Sequence, residues 1–237
     1  MKSKIKICAL ILARGGSKRL PNKNIKFFNG SPLVTWTVNS AINTDRFDKV
    51  YCYSDNLKIV EACINAGAES PFKRPEIVSG DTVTSLETIR YFLKQLKENN
   101  AYYPDFLVLL QPTSPLRTSE HIIGALDEAL DKNFDMLMSV KKIKSSFKNI
   151  RFISDGKLHN LKGNLKNKSK MYMDDLDLYS ANGAIYIFNV VSLDQILPPK
   201  PFKTIPYVMN EIESFDIDTE EDFIISEQIF KINHEKN

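Results

Sequence analysis

Short, mostly apolar runs alternate along this chain with longer segments whose apolar residues recur every three or four positions. The runs cover residues 5–12, 50–53, 106–110, 136–140 and 184–188. None alternates between an apolar and a polar face, so they predict strands covered by helices on both sides. Between them lie the helices. Ser31-Pro32 opens a stripe of Val34, Val38, Ala41 and Ile42, with the proline suited to a first turn. Ile59, Val60, Cys63 and Ile64 form a second stripe that Gly67 is placed to end. Thr84 and Glu87 have the spacing of a capping box ahead of Leu86, Ile89, Leu93 and Leu96. Ser119 opens a segment with Ile122, Ile123, Leu126 and Leu130 on one face, and Thr219 and Asp222 precede Ile225, Ile229 and Ile232, the expected docking face of a final helix. Strands alternating with helices predict an α/β fold with a Rossmann-like, doubly wound, mainly parallel sheet. Ligands of such sheets gather beyond the carboxyl ends of the strands.

One segment breaks the alternation. From Lys141 to Lys170 the chain carries nine lysines and Arg151 against the single acid Asp155, a local charge of +9, so the rest of the chain sums to −6 within a net +3. Asp155-Gly156 sits between two short β-like stretches, the signature of a tight hairpin. Residues 141–180 are therefore read as an inserted arm, and residues 1–140 with 181–237 as the main domain. The arm's charge suits a solvated surface, an anionic small substrate or nucleic acid. Nucleic acid is disfavoured because the segment lacks interleaved aromatic residues on which bases stack.

Composition removes other chemistries. Cys8, Cys52 and Cys63 fall inside apolar runs without metal-ligand or disulfide-framework spacing, which reads as reduced core thiols of a cytoplasmic protein. His121, His159 and His234 are far apart and lack carboxylate-rich neighbours, which argues against a zinc site or a histidine-dependent triad. No apolar stretch approaches the ~20 residues of a membrane span, and the start does not resemble a signal peptide.

Three units carry candidate chemistry. Only nine of 237 residues are glycine, and two of them, Gly15 and Gly16, are adjacent directly after the first strand, in a loop that also holds Arg14, Ser17, Lys18, Arg19, Lys23 and Asn24. Backbone N–H groups and cations together suit a polyphosphate, although the loop matches neither the Walker nor the dinucleotide pattern; a merely basic surface turn is the plainer alternative. After the third run, Gln111-Pro112-Thr113-Ser114-Pro115 makes a rigid strand exit in which Gln111 can present its amide to a crevice. In Ser214-Phe215-Asp216-Ile217-Asp218-Thr219 an extended backbone places Asp216 and Asp218 on one face, about 7 Å apart. Two hard oxygen ligands near a phosphate loop suit magnesium; capping of the last helix is the structural alternative.

The segments ARGGSKRLPNKN, KRPEIVSGDT, LLQPTSPLR, NGAIYI and SFDIDT occur in the order of the acylneuraminate cytidylyltransferases, which the chain resembles over nearly its whole length. The resemblance implies transfer of CMP from CTP to the anomeric hydroxyl of a nine-carbon α-keto acid sugar, sialic, legionaminic or related, with pyrophosphate released. It also implies a homodimer whose arm completes the partner's site. By the same resemblance Arg14, Gly15, Gly16, Ser17, Lys18 and Lys23 hold the triphosphate, and Asn24, Arg74 and Ser85, with the Thr82-Val83 backbone, recognise cytosine and ribose. Gln111, Tyr179 and Asn182 contact the sugar, and Asp216 and Asp218 bind magnesium. Lys18 and Arg14 offset charge on the leaving pyrophosphate, and Gly15-Gly16 sits where the backbone wraps the triphosphate. One stretch departs from the family pattern: residues 171–177 hold Asp174, Asp175 and Asp177 where an arginine for the sugar carboxylate is expected, leaving Lys148 or Lys170 as substitutes. The acids suggest a sugar with amino or acylamino substituents. Kdo and pseudaminate activation, or a non-catalytic nucleotide- or RNA-binding protein, are the competing readings.

Overall fold

The first apolar run folds as β1 (Ile7–Leu12) in the computed structural model, which describes residues 4–99, 102–144, 151–154, 156–160, 177–195 and 201–234. A two-strand turn, β2 (Phe27–Phe28) and β3 (Ser31–Pro32), leads into α1 (Leu33–Ile42). Next come β4 (Lys49–Tyr53), α2 (Leu57–Asn65), α3 (Ser85–Glu98), β5 (Phe106–Leu110), α4 (Ser119–Leu130) and β6 (Met136–Lys142). After the hairpin of β7 (Arg151–Ser154) and β8 (Lys157–Asn160) follow β9 (Tyr179–Asn189), α5 (Val190–Gln195), β10 (Thr204–Met209) and α6 (Glu220–His234).

The main sheet has the order β10-β6-β9-β5-β1-β4. Every neighbouring pair is parallel except the two made by β9, which runs against both β5 and β6. The expected mainly parallel, doubly wound sheet is thus present, with a reversed strand in its interior. A strand buried on both faces is a continuous apolar run in either direction, so its polarity left no trace in the sequence. Besides the short β2 and β3, two elements were not foreseen. Strand β10 contains Pro206, which the outer edge of the sheet tolerates because only one side of the strand must pair. Helix α5 is only six residues long.

The reversal of β9 has a topological result. The chain leaves the end of β6 and returns at the start of β9 on the same edge, which is also the carboxyl edge of β1 and β5. Lys141 pairs with Ser180 and Lys142 with Tyr179, so the sheet extends two residues into each end of the segment read as the arm. Beyond it, β7 and β8 pair antiparallel about Gly156, at the hairpin site expected from Asp155-Gly156. Lys148 and Lys170, the expected substitutes for the arginine, and residues 171–176 lie outside the described residues.

Alternate residues of β1 feed two cores. Ile7, Ala9 and Ile11 pack with apolar residues of α1, α2 and α4, while Cys8 and Leu10 pack with Ile89, Phe92, Leu93 and Leu96 of α3. All three cysteines are free and buried, and burial pushes the Cys8 thiol above its ordinary value. Among the described residues no helix is long and apolar enough to cross a membrane.

Helix α6 docks on a face other than the one expected. Ile225 and Ile232 are 47% and 51% exposed, whereas Phe223 and Phe230 are buried. Both phenyl rings meet Phe28 edge-on, at centroid distances of 5.5 and 5.3 Å, and Phe230 also meets Trp36. Aromatic rings seven residues apart bury more area than the isoleucine stripe and gain edge-to-face contact, so they select the docking face. Both capping features are well formed. Thr84 and Glu87 bond reciprocally at the start of α3, and Thr118 starts α4 with His121 in the glutamate's place. The Nδ1 of His121 accepts from the Thr118 N–H at 3.1 Å, and its Nε2 lies 3.0 Å from Glu213, a structural role as the sequence indicated.

Candidate active site

Beyond Leu12 the chain turns over the carboxyl edge of the sheet. The Gly15 N–H donates to Asp55 Oδ1 at 2.8 Å. A Cβ on Gly15 would lie 2.7 Å from Asn56 Nδ2 and 3.0 Å from Asn56 Cβ. Asn56 cannot easily retreat, because its Oδ1 caps α2 by accepting from the N–H groups of Lys58 and Ile59. Glycine is therefore required at Gly15 by close approach to a helix cap. Gly16, expected with Gly15 to wrap the triphosphate, has nothing within 4 Å of its would-be Cβ, and neither residue has positive φ. Asn24 Nδ2 donates to the Arg14 carbonyl at 3.0 Å and ties the far end of the loop back to its start.

Arg14, Ser17, Lys18 and Lys23 line one cleft of about 500 Å³, with Asp218 and Asp81 on its walls. Asn24, assigned to the base, lines this cationic compartment instead. Asp218 lies 3.1 Å from Arg19 Nη1 and 3.4 Å from Lys23 Nζ. Its backbone is fixed: the N–H groups of Asp218 and Thr219 donate to the Asp222 carboxylate at 3.0 and 2.8 Å, and the Ile217 N–H donates to the Thr113 carbonyl at 2.8 Å. The Ile217 side chain is completely buried, so the alternation read from the sequence holds, with isoleucine inward and the aspartates outward. Asp216 is exposed and, unlike Asp218, lines none of the three compartments. Desolvation raises its pKa, the Thr113 hydroxyl opposes the shift, and the like charge of Asp218 adds to it.

A second compartment of about 250 Å³ adjoins the first and holds Arg74, Val83, Ser85 and Thr88. Arg74 is braced there: its Nε donates to the Val78 carbonyl at 2.9 Å, and its Nη2 reaches the same carbonyl and Thr88 Oγ1. Burial lowers its pKa from the ordinary guanidinium value, with Asp55 opposing. A third compartment, about 320 Å³ and mostly apolar, is walled by Leu86, Met136, Tyr186, Phe188 and Phe202. Gln111 borders all three compartments. Its Oε1 lies over Gly183, whose φ of +78° a side chain would strain.

The sugar-side residues are placed differently from expectation. Asn182 is buried, and its amide is used up within the protein. Its Oδ1 accepts from Ser139 Oγ at 2.5 Å and the Ala184 N–H at 3.2 Å, while its Nδ2 donates to Ser214 Oγ at 2.8 Å and meets Met209 Sδ at 3.4 Å. With all four bonding positions taken, Asn182 is held within the protein and positions the strand. It sits where two steps of β6, Met138 to Val140, face five of β9, Ala181 to Tyr186, and Ser139 fills the gap by also accepting from the Ile185 N–H. Tyr179 is 44% exposed and lines none of the three compartments; Tyr186, seven residues along the same strand, does. The sequence carried that signal in NGAIYI, where Tyr186 is the one side chain of the apolar run with a polar tip.

Arg117 also went unassigned. It is 1% exposed, and its Nη1 donates to the carbonyls of Gln111 and Ala184 at 3.1 and 3.0 Å. It thereby ties the exit of β5 to the middle of the antiparallel β9 beneath Gln111. Asp177, the described member of the acidic stretch, pairs with Lys142 at 2.7 Å.

A doubly wound sheet with a cationic, a polar and an apolar compartment on its carboxyl edge is the architecture of nucleotidyltransferases. The solved structure of CMP:2-keto-3-deoxy-manno-octonic acid synthetase complexed with CTP aligns with 96% of this chain and 99% of its own, at a TM-score of 0.69 and 13% identity. Over residues 8–230 the sequence matches the cytidylyltransferase family, and the chain belongs to that family. It is 33% identical to the CMP-N,N'-diacetyllegionaminic acid synthase of Legionella pneumophila over 236 residues, covering 98% of this chain and 99% of that protein. It is 34% identical over 224 residues to an N-acylneuraminate cytidylyltransferase of Streptococcus agalactiae, covering 92% of this chain but 51% of the relative, and so spans about half the streptococcal protein. The resemblance read from the motifs is borne out.

Proposed function

We propose that this chain transfers CMP from CTP to the anomeric hydroxyl of a nonulosonic acid of the sialic or legionaminic type and releases pyrophosphate. The observation that carries the reading is the junction at Gln111, where a cationic, a polar and an apolar compartment meet on one sheet edge. Arg14, Ser17, Lys18 and Lys23 hold the triphosphate, and the narrower compartment of Arg74 and Ser85 takes the nucleoside. Gln111 offers its amide to the acceptor, and the apolar wall of Tyr186 and Phe202 takes an acyl substituent. The acceptor's oxygen bonds to the α-phosphorus, its hydroxyl proton passes to solvent water, and the bond from that phosphorus to pyrophosphate breaks, the electron pair leaving with pyrophosphate. Arg14 and Lys18 offset the charge that grows on the leaving group. Most of the acceleration comes from holding the two substrates in line.

Asp216 and Asp218 fit a magnesium ion: two hard carboxylates flank the buried Ile217 on a segment fixed by Thr113 and Asp222, and would leave the remaining coordination to phosphate oxygens and water. Bound there, the ion would neutralise phosphate charge and polarise the reacting group. A homodimer is part of the same proposal. Ile153 and Leu158 face each other across the β7–β8 hairpin and are 74% and 69% exposed. A two-stranded hairpin with an uncovered apolar pair is marginal alone in water, which supports its being covered by a second copy. Three free, buried cysteines support a cytoplasmic setting.

The test is pyrophosphate release from CTP and magnesium with sialic, legionaminic, pseudaminic and eight-carbon Kdo acids as acceptors. Release with sialic or legionaminic acid is expected. Release with only Kdo or only pseudaminic acid moves the assignment within the family. Release with none, together with salt-sensitive RNA binding, replaces it by the binding-protein reading.

A further inference from the structure

Asp81 sits where a nucleotide's phosphates must join its nucleoside. It lines both the cationic and the polar compartment, a property it shares only with Leu12, Arg14 and Gln111. Each of its carboxylate oxygens takes one cation: Oδ1 lies 2.8 Å from Arg14 Nη1, and Oδ2 lies 2.5 Å from Lys18 Nζ. Those cations are among the three that the proposed function gives to the triphosphate, and are the two it sets against the leaving pyrophosphate. A carboxylate bridging them presents two oxygens with shared negative charge, as the non-bridging oxygens of a phosphate would. A ligand that fills both compartments therefore meets Asp81 at its phosphates, and the two anions cannot share the cations without repelling each other.

The backbone around Asp81 suits displacement. The turn that carries it, residues 80–83, is held at its feet by Arg74 on the Val78 carbonyl and by the capping box at Thr84, while the Asp81 side chain itself is 48% exposed. Ion pairs this exposed are weak, so a polyphosphate can break them by turning the side chain outward. The same two cations hold the Asp81 carboxyl below its usual range, so it is an anion wherever the protein works.

We infer that Asp81 is a specificity-determining residue of the phosphate cleft: an internal anion that occupies Arg14 and Lys18 until a polyphosphate displaces it, and that returns as pyrophosphate leaves. The inference rests on the proposed nucleotide reading and adds to it a competitor built into the chain. It raises the threshold for anions generally, so that only a ligand held at several points gains the cleft.

Calorimetric titration of the full-length protein with CTP, with inorganic pyrophosphate and with cytidine, all in EDTA, separates the possibilities. In Asp81→Asn the dissociation constants for CTP and pyrophosphate should both fall about three- to tenfold, the range spanned by two exposed ion pairs, while cytidine binding stays unchanged. Asp81→Glu keeps the charge and should tighten neither. If wild-type protein binds CTP and pyrophosphate but Asp81→Asn binds them equally or more weakly, the competitor is overturned and the nucleotide reading stands. If wild-type protein binds neither, the nucleotide reading falls and takes the competitor with it.

Discussion

Two aspartates on the walls of one cleft each hold a pair of cations, and they are built differently. Asp218 takes Arg19 and Lys23 from a backbone fixed by Asp222, by the Thr113 carbonyl and by a fully buried Ile217. Asp81 takes Arg14 and Lys18 from an exposed turn fixed only at its feet. Ion-pair distances alone would rate Asp81, at 2.8 and 2.5 Å, as the more tightly held of the two. The anchoring of the backbone separates a carboxylate that can serve as a preorganised ligand from one that can step aside.

The comparison breaks first on activity. Asp218→Asn should lower CMP transfer about a thousandfold or more, the rate equivalent of several kcal/mol of lost charge stabilisation, with circular dichroism and melting temperature little changed. Unchanged turnover in that variant would remove the metal assignment. The next effect is on stability. Ile217→Ala should cost about 2–5 kcal/mol in urea unfolding, because it empties the buried anchor beneath both aspartates. Thr82→Ala, beside Asp81, should stay within about 0.5 kcal/mol, and similar losses at both positions would erase the distinction. A smaller contrast lies in the loop that supplies Arg14 and Lys18. Gly15→Ala should cost about 1–2 kcal/mol through its clash with Asn56, while Gly16→Ala should be nearly neutral in thermal melts. The smallest is Thr84→Ala, about 1 kcal/mol from the lost cap, read as a lower melting temperature. It should also loosen one foot of the Asp81 turn.

The nucleotide side of the molecule was more legible in the sequence than the acceptor side, for physical reasons. Cations and glycines directly after a strand, and two aspartates flanking one isoleucine, are local patterns whose geometry follows from backbone period. The Thr84 capping box is equally local. Asn182, Tyr186 and Arg117 owe their roles to contacts far along the chain: Asn182 to Ser139, Met209 and Ser214, and Arg117 to the Gln111 and Ala184 carbonyls. Nothing in a strand pattern tells a buried asparagine that locks an irregular pairing from one that reaches a ligand. The choice of Phe223 and Phe230 over the isoleucine stripe of α6 likewise depended on what waited across the interface, Phe28 and Trp36.

Because β9 runs antiparallel to β6, the sheet itself pins both ends of the intervening segment at Lys142 and Tyr179. The entropy of closing such an excursion grows only with the logarithm of its length, about 0.6 kcal/mol for each doubling. Residues can thus be gained, lost or exchanged between those two anchors at little cost to the core, and always at the edge where substrates meet. In evolutionary terms the reversed strand is an insertion port, open to change at the edge where the compartments lie while the core beneath it stays as it is.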